Sequence, residues 1–504
     1  FFTHTPAYEI PLRLVGSEMC IRDRHKDVIV IGAGISGIGA AYNLQKSCKT
    51  KSYCILEGRD NIGGTWDLFK YPGIRSDSDM HTLGFRFKPW INKKSIADGP
   101  SIMNYLNETV DEFHIREKIL FNHKILSANW ITEKSHWSLE VINNGKKLNM
   151  TSNFLFMCGG YYSYDNPYRP KFPNEESFKG TILHPQFWDE SLDYADKNII
   201  VIGSGATAVT LVPALAKKAN HVCMLQRSPS YVIAAPEEDA INKRLKKILP
   251  KRTAYFLTRW KNILLTSLFF KLSRKYPERT KTRLVNQVKD ELGDNFDVDK
   301  HFTPSYKPWD QRMCLVPDGD LFDAMKSGKA SVVTDHIESF TEKGINLKSG
   351  EQLEADIIIT ATGIELNVLN DVKVYIDGKD IEPHNRLAYK GMMLGGVPNL
   401  AFSFGYVNAS WTLRADLTCE YVCRLLNQMD KEKVSICMPQ EDPLAEADDD
   451  YIDFTSGYVQ RALDRLPQQG KKSPWRNYQN YLLDIFYVRL FSLKDSTMRF
   501  YNSK

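Results

Sequence analysis

The first residues whose spacing could do chemistry form the glycine-rich segment GAGISG, which directly follows the apolar run VIVI. Its glycines permit a tight turn, a close approach of a pyrophosphate to the backbone, and tight packing of the next helix. That helix offers free N–H groups and a positive dipole to phosphates. A second apolar strand, YCIL, ends in an acid placed to accept hydrogen bonds from a ribose. The pattern predicts a dinucleotide site formed by Gly32, Gly34, Ser36, Gly37 and Glu57.

A second segment, NIIVIGSGATA, repeats the strand, glycine turn and helix as GxGxxA. The strand HVCML that follows it ends near an arginine and a serine, where the first unit has an acid. These side chains favour a 2′-phosphate on the ribose, so the second site is predicted to bind NADPH and the first FAD. The alternative is that this arginine is an ordinary surface residue that binds no nucleotide. The predicted binding residues are Gly203, Ser204, Gly205, Ala206, Thr207, Ala208, Arg227 and Ser228.

Between the two turns lies FKGTILHPQFWD, which has the pattern Phe-x-Gly-x-x-x-His-x-x-x-Trp-Asp. The pattern resembles the fingerprint of the type I Baeyer–Villiger monooxygenases. Its matching positions are Phe178, Gly180, His184, Trp188 and Asp189. The related N- and S-oxygenating flavin monooxygenases usually lack the tryptophan, so Trp188 favours the Baeyer–Villiger family. The residues leave open whether His184 takes part in the chemistry or only packs as a linker histidine.

The stretch GGTWDLFKYPGIRSD, residues 63–77, resembles a second and longer fingerprint of the same family. An acid that follows a Pro-Gly turn needs solvent or a basic partner, and the resemblance implies that Asp77 pairs with an arginine above the flavin ring. Arg312, in the segment YKPWDQRMCLVPDGDLF, stands at the position of the family's active-site arginine. The resemblance therefore implies the catalytic set Arg312, Asp77 and His184.

The resemblance extends from residue 25 to the C-terminal region, and stretches such as VIGSGATAVTLVPALA and GYVNASWTL are similar to the ethionamide monooxygenase branch. It implies further cofactor contacts from Thr65 and Trp66 in the longer fingerprint. It also implies that backbone near Ile125 touches the adenosine half of the flavin cofactor.

What the resemblance implies is an FAD- and NADPH-dependent monooxygenase that inserts one oxygen atom of O2 into ketones to give esters or lactones. Thioethers or thioamides would be further substrates. Arg312 would be a fixed cation in a dry site, Asp77 would orient it, and His184 would couple the second nucleotide unit to the site. Two alternatives stay open: an N- or S-oxygenating flavin monooxygenase without ketone activity, and a non-catalytic NADPH-binding flavoprotein that acts as a redox sensor.

The elements that must position these residues are two Rossmann-like α/β domains, one for FAD and one for NADP, with a helical insertion in the NADP domain. Residues 1–24 contain SEMCIRDR, which resembles translated adaptor sequence, and are interpreted as a non-native segment. The expected FAD-binding parts are 25–150 and 363–504, the linker with the first NADP-binding part is 151–235, the basic helical insertion is 236–302, and the second NADP-binding part is 303–362.

Composition narrows the class of protein. A hydrophobic content of 42% with 25% charged residues is ordinary for a globular chain, and no apolar run is long enough to span a bilayer. The nine cysteines include no CxxC pair. Free thiols indicate a reducing cytoplasm, and the missing pair disfavours the disulfide reductases that share a two-nucleotide architecture.

The predicted insertion is strongly basic. Between Lys243 and Lys289 there are fifteen Lys or Arg residues against one acid, Glu278. Apolar residues interleave with these charges, so two interpretations remain: helices with a buried apolar face and solvated charges, which we favour, or a peripheral contact with the inner face of an anionic membrane. Nucleic acid is not predicted as a partner, because the chain contains no recognition motif for it.

Overall fold

The computed structural model describes residues 24–441, 447–452 and 454–503. The segment interpreted above as non-native lies outside the described residues, except for Arg24. The helices are α1 Ile35–Ser47, α2 Thr65–Leu68, α3 Met80–Leu83, α4 Gly99–Glu112, α5 Ala206–Leu215, α6 Ala240–Ile248, α7 Lys251–Lys275, α8 Pro277–Leu292, α9 Val298–His301, α10 Asp320–Lys326, α11 Trp411–Glu432, α12 Gly457–Gln460 and α13 Tyr481–Arg489.

The strands follow the same chain order. They are β1 His25–Ile31, β2 Tyr53–Leu56, β3 Ile119–Leu120, β4 His123–Ile131, β5 His136–Asn143, β6 Lys146–Met157, β7 Thr181–Leu183, β8 Asn198–Ile202, β9 His221–Gln226, β10 Val232–Ala235, β11 Cys314–Pro317, β12 Ala330–Thr334, β13 Ile337–Thr341, β14 Gly344–Leu347, β15 Gln352–Glu354, β16 Ile357–Thr360, β17 Lys373–Ile376, β18 Lys379–Asp380, β19 Ala388–Tyr389, β20 Met393–Leu394, β21 Leu400–Phe402, β22 Ile436–Pro439, β23 Ala447–Asp450, β24 Gln468–Gly470 and β25 Met498–Tyr501.

The first sheet has the order β18-β17-β4-β5-β6-β1-β2-β3, and β21 also pairs with β6. Strands β6, β1, β2 and β3 run parallel, whereas β4, β5 and β6 form an antiparallel meander. Strand β1 lies in the middle of the parallel part, and its VIVI residues are fully or almost fully buried. A continuous apolar run suits such a strand, because both of its faces are covered.

The second sheet is parallel throughout, in the order β12-β9-β8-β16-β7. Helices α5 and α10 contribute to the core on one face. The small antiparallel sheet β13-β14-β15 contributes to the core on the other face. In each sheet, the glycine turn lies between a central parallel strand and a helix. The expected fold class, α/β with two Rossmann-like units, is thereby confirmed.

One segment of the first unit crosses to the second and docks there. Tyr71 is buried in the core beneath α5. A Cβ on Gly73, which has φ +81°, would lie 2.8 Å from the carbonyl oxygen of Thr210 in α5. Arg75 forms an ion pair with Asp320 at the start of α10. We call residues 71–77 the strap, because it ties the segment that carries Asp77 to the second unit.

Helices α6, α7 and α8 lie between β10 and β11, which pair in parallel. Arg259 of α7 is buried, and its guanidinium donates to the carbonyl oxygens of His81 at 2.8 Å and Gly84 at 2.7 Å in the first unit. Asp416 of α11 lies 3.4 Å away. The insertion is therefore anchored by a buried cation. None of the described helices is long and apolar enough to cross a membrane.

Candidate functional site

The first glycine turn leaves no room for side chains. Gly32 has φ +96°, and a Cβ there would lie 2.8 Å from the carbonyl oxygen of Cys158 on the neighbouring strand. A Cβ on Gly37 would lie 1.9 Å from the carbonyl oxygen of Gly32, so helix and turn touch through backbone alone. Gly34 is the N-cap of α1. The glycine spacing predicted from the sequence therefore matches positions where the packing of turn, strand and helix excludes a side chain.

Glu57 completes the first turn. Its carboxylate accepts the N–H of Ala33 at 2.7 Å and the N–H of Arg59 at 3.0 Å. The side chain is buried, and burial raises the pKa of Glu57. The neighbouring strand approaches closely, because a Cβ on Gly58 would lie 3.6 Å from the side chain of Lys124, next to Ile125.

The other expected contacts of the first site lie around this turn. Trp411 Nε1 donates to the hydroxyl of Ser36 at 2.8 Å, so an aromatic of α11 covers the beginning of α1. Thr65 Oγ1 is hydrogen-bonded to the hydroxyl of Tyr162 at 2.6 Å. Trp66 is half-buried against the large core of the first unit. Thr65 and Trp66 therefore have structural partners of their own.

The second glycine turn combines one crowded glycine with one open glycine. Gly203 has φ +140°, and a Cβ there would lie 2.3 Å from the carbonyl oxygen of Ala361. A Cβ on Gly205, by contrast, would meet no protein atom within 4 Å. The Ser204 hydroxyl donates to the carbonyl oxygen of Ser228 at 3.0 Å, while Arg227 is exposed. The first turn of α5 consists of Ala206, Thr207 and Ala208.

The two nucleotide helices begin without side-chain caps. Gly34 precedes α1 and Gly205 precedes α5, and neither helix end has a capping side chain. Helices α3, α4 and α6 are capped instead by carboxylates, those of Asp79, Asp98 and Asp239. The first N–H groups of a helix have no partner within it. The residues present at both turns therefore fit a phosphate-bearing cofactor.

Asp77 and Arg312 meet at the junction of the two units. Arg312 Nη2 lies 2.7 Å from Asp77 Oδ2, and both side chains are partly exposed. The Asp77 carboxylate raises the pKa of Arg312, against the opposing effect of burial. The guanidinium is therefore cationic throughout the working pH range.

This ion pair lines a cavity of about 600 Å³. The first unit supplies Asp77 and the segment around Ser410, and α7 supplies the wall around Phe270. Arg312 and Met313 come from the loop before β11. The cavity thus lies where the first unit, the insertion and the second unit meet, and its lining combines apolar side chains with charged ones, among them Arg312, Lys261 and Asp239.

The loop that carries Arg312 is fixed by the insertion. The ring of Trp309 contacts the rings of Phe269 and Phe270 of α7, with centroid distances of 6.3 and 5.4 Å. Asp310 accepts from Arg274 at 2.6 Å. Asp77 itself is held by the strap, which docks on the second unit. The two partners of the ion pair are therefore held by different parts of the chain.

His184 lies apart from the Asp77–Arg312 ion pair, among residues of the linker and of the segment around Gly363. Its Nδ1 accepts the N–H of Gln186 at 3.1 Å, and burial lowers the pKa of His184 to about 4. The backbone carbonyls of Gly363 and Tyr168 act on the ring in the opposite sense. The histidine is therefore neutral near pH 7, at the point where the chain returns from the second unit.

The rest of that fingerprint packs at the edge of the second sheet. Phe178 is buried in a core of that sheet, and a Cβ on Gly180 would lie 2.3 Å from the carbonyl oxygen of Asp356. Trp188 contacts the ring of Tyr194, and Asp189 accepts from Ser191. These four residues fold the linker and are not among the residues lining the cavity.

Sequence reasoning missed aromatic and basic residues that the linker after β6 and the C-terminal region bring together. The charge of Arg312 acts on the hydroxyls of Tyr161 and Tyr458, and burial raises the pKa of both, so they stay protonated. Tyr161 stacks on Trp411 at 4.9 Å. Arg461 lies over the ring of Tyr168, with its guanidinium carbon 3.3 Å from the centroid. No local pattern marks these residues in the sequence.

Comparison with known proteins gives close relatives over nearly the full length. The FAD-containing monooxygenase EthA of Mycobacterium tuberculosis H37Rv is 51% identical over 477 residues, which cover 94% of this chain and 98% of that protein. The probable FAD-binding monooxygenase AlmA of an Acinetobacter species is 48% identical over 482 residues, covering 95% and 97%. The family model described as pyridine nucleotide-disulphide oxidoreductase matches residues 29–276.

Solved structures share the fold at lower identity. An oxidized steroid monooxygenase bound to NADP matches with a TM-score of 0.77 and 20% identity, covering 95% of this chain and 100% of that one. An open crystal structure of cyclohexanone monooxygenase matches with a TM-score of 0.70 and 19% identity, covering 83% and 90%. Among the described residues, the eight cysteines are buried and unbridged.

Proposed function

Because this chain belongs to the FAD-containing monooxygenases, we propose that it is an FAD- and NADPH-dependent Baeyer–Villiger monooxygenase. It inserts one oxygen atom of O2 into ketones to give esters or lactones, and thioethers or thioamides are further substrates. The observation that carries this proposal is the ion pair of Asp77 and Arg312 in the cavity wall. The name of the structurally similar cyclohexanone monooxygenase, which specifies a ketone, agrees with it.

Each nucleotide is assigned to one glycine turn. The first turn, with Glu57 at the ribose position, holds FAD, and the second, with Arg227, holds NADPH. When bound, the two cofactors supply hydride transfer and activation of O2. The protein itself must hold the substrate beside the cofactors and exclude bulk water.

Arg312 supplies a positive charge where the ketone oxygen becomes negative as the substrate is attacked. A fixed donor in a low-dielectric cavity stabilises such charge more than water does. Asp77 holds the guanidinium in position, and its carboxylate raises the pKa of Arg312. Tyr161 and Tyr458, which burial keeps protonated, interact electrostatically with this guanidinium.

The test uses purified, FAD-loaded protein with NADPH, O2 and a panel of cyclohexanone, a linear ketone and a thioether, with products identified by mass spectrometry. Arg312→Ala is expected to lower ester formation at least about hundredfold while NADPH still reduces the flavin. Asp77→Asn keeps the shape of the acid but removes its charge, and a smaller loss is expected. Normal ester formation by Arg312→Ala would reject the role of the ion pair.

The same substrate panel distinguishes the proposed function from the two alternatives raised by the sequence. Oxygenation of the thioether without any ester from either ketone would identify an S-oxygenating flavin monooxygenase. Flavin reduction without any oxygenated product would identify a redox sensor. Strong use of NADPH and little use of NADH is the expected cofactor preference.

We also propose that the enzyme is cytoplasmic and touches the inner face of the membrane through α7. Leu257, Leu264, Leu268 and Leu272 share one exposed face of this helix, whereas Tyr255, Arg259 and Ile263 lie on the buried face that we expected from the sequence. Lys261 and Arg274 pair with acids, but among the described residues Arg244, Lys247, Lys251, Arg252 and Lys271 form no ion pair. Exposed leucines beside uncompensated cations complement an anionic lipid surface.

Co-sedimentation with vesicles tests this contact. Wild type is expected to bind phosphatidylglycerol vesicles at low salt and not phosphatidylcholine vesicles. The double variant Leu264→Asp with Leu268→Asp is expected to lose binding, whereas Phe187→Asp, at an exposed site on the linker, keeps it. Absence of wild-type binding would reject the contact. A wild-type dimer that the double variant dissociates would instead assign the face to a second copy.

A further inference from the structure

Within the described residues, two of the guanidinium nitrogens of Arg461 have no hydrogen-bond partner. Arg461 is the C-cap residue of α12, and its guanidinium carbon lies 3.3 Å from the centroid of the Tyr168 ring. Its Nε and Nη2 are buried and, within the described residues, form no hydrogen bond. An unsatisfied buried donor costs about 1–3 kcal/mol, and more when the group is charged. Such a group indicates a ligand that supplies the missing acceptors.

The guanidinium lies beside the second glycine turn. Arg461 Nη2 is 3.7 Å from the place that a Cβ on Gly363 would occupy. Two residues earlier, the carbonyl oxygen of Ala361 lies 2.3 Å from the place of a Cβ on Gly203. Arg461, from the C-terminal part of the chain, therefore lies beside the segment 361–363 that contacts this turn.

The charges around Arg461 favour an anion. Arg465 forms an ion pair with Glu365 at 2.5 Å. Burial lowers the pKa of Arg461 most, and the charge of Arg465 lowers it further, while that of Glu365 raises it. Arg461 and Arg227 form no ion pair with any described residue, and the charge of Arg227 acts on Arg461 and, after burial, contributes to lowering its pKa. Arg465 and Arg227 both repel the Arg461 cation, so an anion beside its guanidinium would relieve this repulsion.

We propose that Arg461 binds the pyrophosphate of the nicotinamide nucleotide at the second glycine turn. This inference rests on the proposed NADPH site and adds a contact from the C-terminal region. The pyrophosphate of a dinucleotide lies at the glycine turn and the helix N-terminus, whereas the 2′-phosphate lies at the end of the second strand. Arg461 is at the first of these places and Arg227 at the second. The ring of Tyr168 orients the guanidinium.

Calorimetric titration of FAD-loaded protein with NADP⁺ and with NAD⁺ tests the assignment without turnover. Arg461→Ala is expected to weaken the binding of both nucleotides by a similar factor, about ten- to hundredfold, because both contain the pyrophosphate. Arg227→Ala should weaken NADP⁺ alone. Arg283→Ala, at an exposed position in α8, is the matched control and should change neither affinity.

Two further variants guard against misfolding. Arg461→Lys keeps the charge but loses the planar fork, and Tyr168→Leu removes the ring under it; both should weaken the two nucleotides less than Arg461→Ala. Flavin absorbance and melting temperature identify any variant that does not fold. Unchanged affinities in all three variants, or a loss confined to NADP⁺, would overturn the pyrophosphate assignment. Wild type that bound neither nucleotide would refute the proposed NADPH site itself.

Discussion

The two glycine turns share a strand, a turn and a helix, yet their surroundings differ. At the first turn, Glu57 is buried and its carboxylate is already bound by backbone N–H groups of its own unit. At the second, Arg227 is exposed, Gly205 faces open space, and the buried nitrogens of Arg461 have no partner among the described residues. The carboxylate of the first site already has partners within the protein, whereas the two arginines of the second site form no ion pair with any described residue.

The difference indicates how each nucleotide is used. A site whose polar groups are ordered before binding loses little entropy when the ligand arrives, so it binds tightly. An open site that gathers cations from two parts of the chain favours exchange. We therefore expect a permanently bound FAD at the first turn and a nicotinamide nucleotide that enters and leaves at the second.

The largest expected effect, which tests the first half of this comparison, follows from Glu57→Ala. The N–H groups of Ala33 and Arg59 would lose their acceptor, at a cost of about 1–3 kcal/mol each, and the ribose would lose its partner. The variant should elute from gel filtration without flavin absorbance. Arg227→Ala is the control and should retain its flavin. Full flavin content in Glu57→Ala would break the comparison.

Two glycine variants test the other half of the comparison, namely that the second turn is open to a nucleotide. Gly203→Ala places a Cβ 2.3 Å from a carbonyl oxygen at φ +140°, so we expect a loss of about 1–3 kcal/mol in the free energy of unfolding. Gly205→Ala meets no protein atom and should unfold like wild type, but its methyl group would displace the nucleotide. Urea unfolding and NADP⁺ titration measure the two effects. Normal NADP⁺ affinity in Gly205→Ala would show that the open space is not the binding site.

Arg227→Ala addresses the choice of nucleotide. Loss of a charged hydrogen bond to the 2′-phosphate should lower kcat/KM for NADPH about ten- to hundredfold and leave NADH nearly unchanged. Arg227→Lys should fall between the two. Steady-state rates with both nucleotides provide the measurement, and equal losses for NADPH and NADH would assign Arg227 to an ordinary surface role.

The smallest effect concerns the linker between the turns. Burial lowers the pKa of His184 to about 4, below the value of about 6.5 in an unfolded chain. The unfolded state therefore gains a proton first, and the free energy of unfolding should fall as the pH drops from about 6.5 towards 4. His184→Asn keeps an acceptor for Gln186 and should flatten this dependence in urea titrations. An unchanged slope would show that other groups control it.

Both nucleotide units could be predicted because their signals are local. A buried strand, a glycine turn and a helix occupy about a dozen consecutive residues in each case, and the steric reasons for Gly32, Gly37 and Gly203 act within the motif or on the adjacent strand. The positions of Asp77 and Arg312 required more, because the strap and α7 hold them from different parts of the chain.

The roles of Arg461 and of α7 could not be read from the sequence. Arg461 meets Tyr168 across almost three hundred residues, so no spacing rule connects them. For α7, apolar residues occur around much of the helix, and the pattern does not indicate which face another element will cover. Arg259 is buried and Leu268 exposed on the same helix, which reverses the expectation from residue type.

Tyr71 has a consequence for how such proteins can be divided. Its ring fills part of the core beneath α5, although it belongs to the polypeptide that follows the first turn. A fragment cut to include the second sheet alone would leave a hollow where this aromatic had been, and large-to-small changes in cores cost about 3–5 kcal/mol. When the two nucleotide units are recombined between homologues, the chimaera should therefore fold only if Tyr71 and the core beneath α5 come from the same parent.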